Sequence, residues 1–251
     1  MAKQSGIIRI NGTLDGVTFY NTRDGNLVRK AGGIDKKRIN SDPGFARTRE
    51  NMAEFKNIAT SARFLRTSMV SLLKKAKDFK MSRRLFTVFT GVKNLDGTNL
   101  RGQRTVAGGL ATIAGQELFR GFDFNANATL TSVLQAPFTQ NQATGEVSIA
   151  AFDPQQHVRI PQGATHVGFS TALVALDLQN GAYSIEQSNP QNLSVTAASA
   201  TVTTTPATVP VGTGFMFMLL LIEFFQEVNT VQYPLNNGSF NVLNLLDVRT
   251  L

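Results

Sequence analysis

The chain has 251 residues, 42% of them hydrophobic, with 25 Lys+Arg against 17 Asp+Glu and a formal net charge of +8. That length supports one large domain or two modest ones with their own cores. It contains no Cys, no Trp and two His, which excludes a disulfide scaffold, a thiol nucleophile, a Cys-ligated zinc and an iron–sulfur cluster, and leaves little for a His-based triad or a metal enzyme.

Taken in chain order, Met1–Gly6 lead into Ile7-Ile8-Arg9-Ile10 with no apolar stretch and no small-residue cleavage site. No secretory signal peptide is expected, so the sequence points to the cytoplasm or to a virion or phage-like particle assembled there. Residues from Ile7 to Arg29 read as a small β-meander. Ile8 and Ile10 alternate with Arg9, Asn11-Gly12 predicts a tight turn, and Val17–Tyr20 is a β-branched and aromatic strand. Arg23-Asp24-Gly25-Asn26 supplies a second turn and Leu27-Val28-Arg29 the return strand. Gly32-Gly33 then breaks the chain, and Lys36-Lys37-Arg38 is a basic run in a loop.

A helix is predicted next, with Asp42 as N-cap and Pro43 in its first turn. Phe45, Met52, Phe55, Ala59, Ala62, Leu65, Met69, Leu72 or Leu73 and Ala76 recur mostly at steps of three and four, one helical face held for about nine turns. The opposite face carries Arg47, Arg49, Lys56, Arg63, Arg66, Lys74, Lys75 and Lys77. The pattern leaves open whether this helix is continuous or is divided near Asn57–Ser61 into a helical hairpin. Ser82 is placed to cap a shorter helix with Leu85, Val88, Phe89 and Val92 inward. Asn94–Asn99 is a loop, and a short helix near Leu110–Leu118 is one option within the Gly-rich residues 100–119.

From Phe122 the texture changes to strands: Phe122–Asn125, Leu130–Phe138, Glu146–Phe152, His166–Leu178, Tyr183–Glu186, Leu193–Ala197, Phe215–Val228, Val231–Pro234 and Phe240–Val248. Turns such as Thr144-Gly145, Asn180-Gly181 and Asn236-Asn237-Gly238 separate them, a spacing that predicts an antiparallel β-sandwich. Thr196–Pro210, rich in Thr, Ala, Val and Pro, is a long loop or a weak edge strand. The longest apolar run, Phe215–Ile222, is far short of the ~20 residues of a membrane span, so no membrane insertion is expected. The fold class expected is α+β: a basic N-terminal region over 1–107 (hairpin or meander, then amphipathic helices), a linker at 108–121, and a sandwich domain over 122–251.

Charge divides along the same line. Residues 1–107 hold 22 Lys+Arg and 8 Asp+Glu, net +14; residues 108–251 hold 3 and 9, net −6, with only 12 charges in 144 positions. A surface so poor in charge resists association weakly and suits a subunit whose faces meet neighbours.

Catalytic motifs are largely absent. The sequence has no Gly-x-Ser-x-Gly elbow and no Gly-Lys dipeptide, and Gly212-Thr213-Gly214 lacks the third glycine and following helix of a dinucleotide site. His157 and His166 lack further ligands nearby and read as structural or surface histidines. Glu223 and Glu227, evenly spaced on one strand, mimic a carboxylate pair, although a solvated face or subunit contact is the simpler reading. Three Asn-x-Ser/Thr matches carry no meaning without a secretory route. Neither an enzyme nor a cofactor is expected. The basic half does carry chemistry, because Lys and Arg give salt-dependent, sequence-independent affinity for nucleic acid. The candidate contacts are Lys36, Lys37, Arg38, Arg47, Arg49, Arg63, Arg66, Lys74, Lys75 and Lys77, facing DNA, RNA or acidic patches of neighbouring subunits; no known reader motif accompanies them.

The run Gly6–Tyr20, followed by Asp24-Gly25-Asn26-Leu27-Val28-Arg29 and by Asp42-Pro43-Gly44-Phe45-Ala46-Arg47-Thr48-Arg49-Glu50-Asn51 with Phe55, resembles a pattern in uncharacterised bacterial and phage-associated proteins. In those proteins a Gly-rich hairpin precedes a helix opening on Pro and Arg. The segments Glu223–Asn229 and Tyr233–Asn241 are similar to Bacteroidota proteins of unknown function. The resemblance implies no activity; its phage-associated context favours an assembly component. Two functions are therefore expected. The first is a non-catalytic, homo-oligomeric structural subunit of a virion, phage-like particle, tube or filament; the alternative is a sequence-independent nucleic-acid-binding or packaging protein.

Overall fold

A computed structural model describes residues 2–4, 10–23, 25–30 and 32–251. They form two compact units, Met1–Arg49 and Glu50–Leu251.

In the first unit, four antiparallel strands, β1 (Ala2–Lys3), β2 (Gly12–Leu14), β3 (Val17–Thr22) and β4 (Gly25–Lys30), lie in the order β1-β4-β3-β2. Leu14 faces Val17 across the turn Asp15-Gly16, whose φ angles are +43° and +75°. These are the two left-handed positions that a tight two-residue hairpin demands. The turn expected at Asn11-Gly12 is instead the entry to β2, because Asp15-Gly16 meets the same backbone requirement. Ile7, Ile8, Arg9 and the turn residue Asp24 lie outside the described residues.

The basic run expected in a loop opens α1 (Lys36–Ser41), where the Asp35 carboxylate accepts from the Lys37 N–H and caps the helix. Asp42 caps a 3-10 turn at Pro43–Phe45, and α2 (Ala46–Ser68) starts from it. Arg49 donates to the carbonyls of Ile39 and Asp42, fastening the start of α2 to the end of α1. None of the described residues of this unit is buried.

The second unit has two dense cores. Its helices are the rest of α2, α3 (Val70–Lys75), α4 (Met81–Asn94), α5 (Val106–Leu110), α6 (Ile113–Phe119), α7 (Leu130–Val133) and α8 (Pro154–His157). Its strands are β5 (Thr139–Asn141), β6 (Glu146–Phe152), β7 (His166–Leu176), β8 (Tyr183–Gln187), β9 (Gln191–Ser194), β10 (Ala200–Thr204), β11 (Phe215–Val228), β12 (Val231–Pro234) and β13 (Val242–Thr250).

α2 passes unbroken through residues 57–61. It stops at Ser68, whose hydroxyl donates back to the Leu65 carbonyl, and Met69 leaves the helical conformation. Its buried stripe is Glu54, Ile58, Ser61, Ala62, Leu65 and Ser68. The expected inward residues Met52 and Phe55 are exposed, Phe55 by 60%; apolar periodicity alone misplaced that half of the helix because a carboxylate occupies the core side.

The centre of the unit is a curled, wholly antiparallel sheet of six strands. β11 pairs with β7 from Phe215↔Leu176 to Phe225↔His166. The far edge of β11 is shared by β13 and then β12, and the far edge of β7 by β8 and then β9. Both central strands are buried on both faces, which is why they read as continuous apolar runs. Alternation sorts them: Phe217, Leu219 and Leu221 join the helices in one core, while Met218, Leu220 and Ile222 meet β6, β10 and α7 in the other. Phe89 against Phe119 and Phe152 against Phe169, each with ring centroids 5.0 Å apart and near-perpendicular planes, lie one in each core. Such pairs add about 0.5–1.5 kcal/mol beyond the area they bury.

Among the described residues helices make up 31% and strands 34%, so the fold class is α+β. The strand expected over Leu130–Phe138 begins instead as α7, and Phe122–Asn125 contributes a single bridge, Asp123↔Asn244, beside β13. Thr196–Pro210 contains β10, which pairs with β6 at the edge of a three-stranded sheet. Residues 108–121, expected as a linker, carry α6 and bury Leu110 and Phe119 completely.

Candidate functional site

The ten cationic residues singled out by sequence divide by what they touch. Lys36 and Lys37 are exposed on α1, and Arg47 on the first turn of α2. Arg38 pairs with Asp42 at 3.3 Å and lies over the Phe45 ring. Arg49 is spent on the carbonyls already described. Arg63 lies 5.1 Å over the Phe64 ring, and Arg66 donates to the Ala62 carbonyl and to the Ser82 hydroxyl.

Lys74, Lys75 and Lys77 come together. They line a groove of about 430 Å³ with Asn192, Glu223 and Phe225. The chain builds this groove by close approach. α3 ends at Lys75, whose carbonyl accepts from the Asn241 side chain at 2.9 Å. Gly238 sits at φ +81°, where a Cβ would lie 1.9 Å from that carbonyl. Glu223 on β11 is buried and takes a 2.8 Å bond from the Lys75 ammonium. Lys74 and Lys77 remain exposed at the rim, so three cations meet one carboxylate. Such a rim attracts polyanions through long-range, salt-screened forces.

Several charged residues that sequence reasoning missed are spent inside the fold. Glu54 accepts from Arg104 at 2.8 and 3.1 Å, from Lys93 at 2.5 Å and from the Gly102 N–H at 2.8 Å. The Arg104 bonds, with help from Lys93 and Gly102, outweigh burial and hold the Glu54 carboxyl down at about 2. Burial alone would raise Asp96. Hydrogen bonds from the Asn99 side chain and from the Thr105, Asn99 and Thr98 N–H groups prevail and lower it. Arg84–Asp78 and Arg120–Asp247 pair at 2.7 Å. The signal was present: Glu54, Ile58, Ser61, Leu65 and Ser68 are spaced four, three, four and three apart, a helical face in which a charge replaces an apolar residue.

The other chemical candidates separate. The His157 Nδ1 accepts from the Asp153 N–H at 3.0 Å. His166 bonds to the Thr165 hydroxyl and lies 3.6 Å from Glu227. Glu223 faces Lys75, so the two glutamates of β11 serve different neighbours. Burial raises Asp123, with Asn244 and the Leu130 N–H as its partners. Among the described residues no three His, Cys, Asp or Glu group as a metal site would require.

Two apolar sheet faces are also partly exposed, the first at Leu14 with Val17, Phe19 and Val28 half-buried beside it. In the first unit Leu14, Val17, Phe19 and Val28 share one face, fixed by the register Leu14↔Val17 and Phe19↔Val28. In the second, Val228, Val231 and Tyr233 share one face of the β11–β12 hairpin, paired Val228↔Val231 and Gln226↔Tyr233, and all three are about half exposed. No helix among the described residues is long and apolar enough to cross a membrane. Comparison with known protein families, curated proteins and solved structures found no match for this chain.

Proposed function

We propose that this protein is a non-catalytic structural subunit of a repeated, homo-oligomeric assembly, such as a virion, phage-like particle, tube or filament built in the cytoplasm. The supporting observation is that the first unit folds into a four-stranded sheet in which no described residue is buried. Ordering a residue costs about 1–2 kcal/mol of backbone entropy, and a small sheet recovers that cost by burying a face. The second unit holds two complete cores of its own. An appended sheet with an apolar face and no interior is the construction of a subunit that completes itself on a neighbour. In this proposal the sheets on the two sides of the second core act as a β-sandwich body, and the likeness to phage-associated proteins reflects common use in particles. Sedimentation velocity over a concentration series tests it: species well above the 27.2 kDa of one chain are expected, and a monomer at every concentration would refute it.

A second reading, sequence-independent binding of DNA or RNA, draws support from the convergence of Lys74, Lys75 and Lys77 on one groove. Affinity for either nucleic acid should then fall steeply between 50 and 200 mM salt, as about 10³-fold or more for six phosphate contacts and less for the two or three available here. Lys74→Glu with Lys77→Glu should abolish it; unchanged binding in that variant removes the groove from consideration.

A further inference from the structure

We infer that the assembly is head-to-tail. The apolar sheet face of the first unit docks on the β11–β12 hairpin of a second copy of this chain. The inference rests on the proposed self-assembly and names the surfaces that carry it.

The first surface is the face of Leu14, Val17, Phe19 and Val28, with Lys30 opposite Val17 on the same side. Leu14 is 59% exposed. Residues 1–49 hold ten Lys+Arg against four Asp+Glu, net +6. Two such sheets laid face to face would stack about 10 Å apart and bring like charge against like charge, which disfavours the symmetric pairing of this face with itself. The partner surface must therefore come from a part of the chain of opposite or neutral charge.

Residues 50–251, the second unit, supply it: they hold 15 Lys+Arg against 13 Asp+Glu, net +2 and close to neutral. Within them the β11–β12 hairpin presents Val228, Val231 and Tyr233 on one side, and residues 226–233 include Glu227 and no Lys or Arg. The lysine groove lies at the root of this hairpin, by Phe225 and Pro234, away from its tip. The tip is also strained: Asn229 and Thr230 both have positive φ, +51° and +64°, a conformation that costs a β-branched residue energy and persists where the structure uses the shape. The sheet face of the first unit and the hairpin face of the second differ from each other, so their pairing is heterologous. Repeated, it closes into a ring or runs on as a filament.

Two full-length variants test this by light scattering after size exclusion. Leu14→Asp places an acid on the first face, toward an acidic partner. Val231→Lys places a base on the hairpin, toward a basic one. Both positions are exposed, so folding should survive, which circular dichroism and the melting temperature check; Tyr233→Lys serves as an independent hairpin variant. Each variant alone should be monomeric. An equimolar mixture of Leu14→Asp and Val231→Lys should at least dimerise, since one junction between the two is unaltered, and it should grow further where the introduced acid and base, opposite in sign, meet at the other. If the hairpin variants assemble as the wild type does, the head-to-tail junction is wrong while self-assembly stands. If the mixture stays monomeric although the wild type assembles, the two faces do not meet and the inference is likewise overturned. A wild type that never assembles overturns both.

Discussion

Replacing Glu54 by Gln removes the one carboxylate that Lys93 and Arg104 share, while keeping the size and shape of the side chain. Lys93 is buried beside it, at 2.5 Å, and its ammonium would then have a neutral amide for a neighbour. The carboxyl titrates at about 2 in the fold against an ordinary 4.5. A displacement of that size corresponds to about 3 kcal/mol at roughly 1.4 kcal/mol per pH unit. Breaking one side of a buried pair costs about 3–5 kcal/mol by a separate route, so a loss of about 3–4 kcal/mol at neutral pH is expected. The sign of the pH dependence follows from the depressed carboxyl. Its contribution is complete above pH 4.5 and is lost as pH falls from 4.5 toward 2. Urea unfolding at pH 7 and at pH 3 measures both effects. The wild type should lose much of its advantage over Glu54→Gln at the lower pH, and Glu54→Leu with Lys93→Met should recover part of the deficit. A Glu54→Gln protein as stable as the wild type at pH 7, or a gap unchanged at pH 3, would refute the assignment.

Other substitutions probe the packing and the turns. Gly109→Ala on α5 should destabilise the fold by more than about 2 kcal/mol, because a Cβ there would lie 1.9 Å from the Val92 carbonyl of α4; a melting temperature within a degree of wild type would contradict the close contact. Thr230→Gly should raise stability by about 1 kcal/mol by relieving the left-handed strain at the hairpin tip, read as a shift in the urea midpoint; destabilisation would mean that the conformation carries no strain. The Lys74→Glu and Lys77→Glu pair should leave the melting temperature nearly unchanged, since both residues are exposed; a large drop would reveal a structural role at the groove.

The strands were the most legible part of the sequence. Glu146–Phe152, Phe215–Val228 and Val231–Pro234 have the bounds their residues predict: the doubly buried part of β11 leaves a long apolar run, β6 alternates buried and half-buried residues at its start, and β12 is the short return strand of the β11 hairpin. The N-terminal half of α2 was misread for the opposite reason. Its core side holds Glu54, kept there by ion pairs and hydrogen bonds from Lys93, Gly102 and Arg104, up to 50 positions away, and a local apolar count has no access to such partners. The same distance effect limited the candidate site. Basic residues were visible as a charge imbalance, yet Lys93, Arg84, Arg104 and Arg120 are committed to the fold, and the gathering of Lys74, Lys75 and Lys77 depends on Asn241 and Gly238 arriving from the far end of the chain. The α7 helix, four residues long, left too short a period to distinguish from a strand.

Hydrogen exchange of the full-length wild type at several concentrations addresses the central claim most directly. Amides of β3 and β4 should be protected at high concentration and exchange faster on dilution, while those of β7 and β11 stay equally slow throughout, since their cores lie within one molecule. Protection of β3 and β4 that does not change with concentration would contradict a sheet completed on a neighbouring subunit.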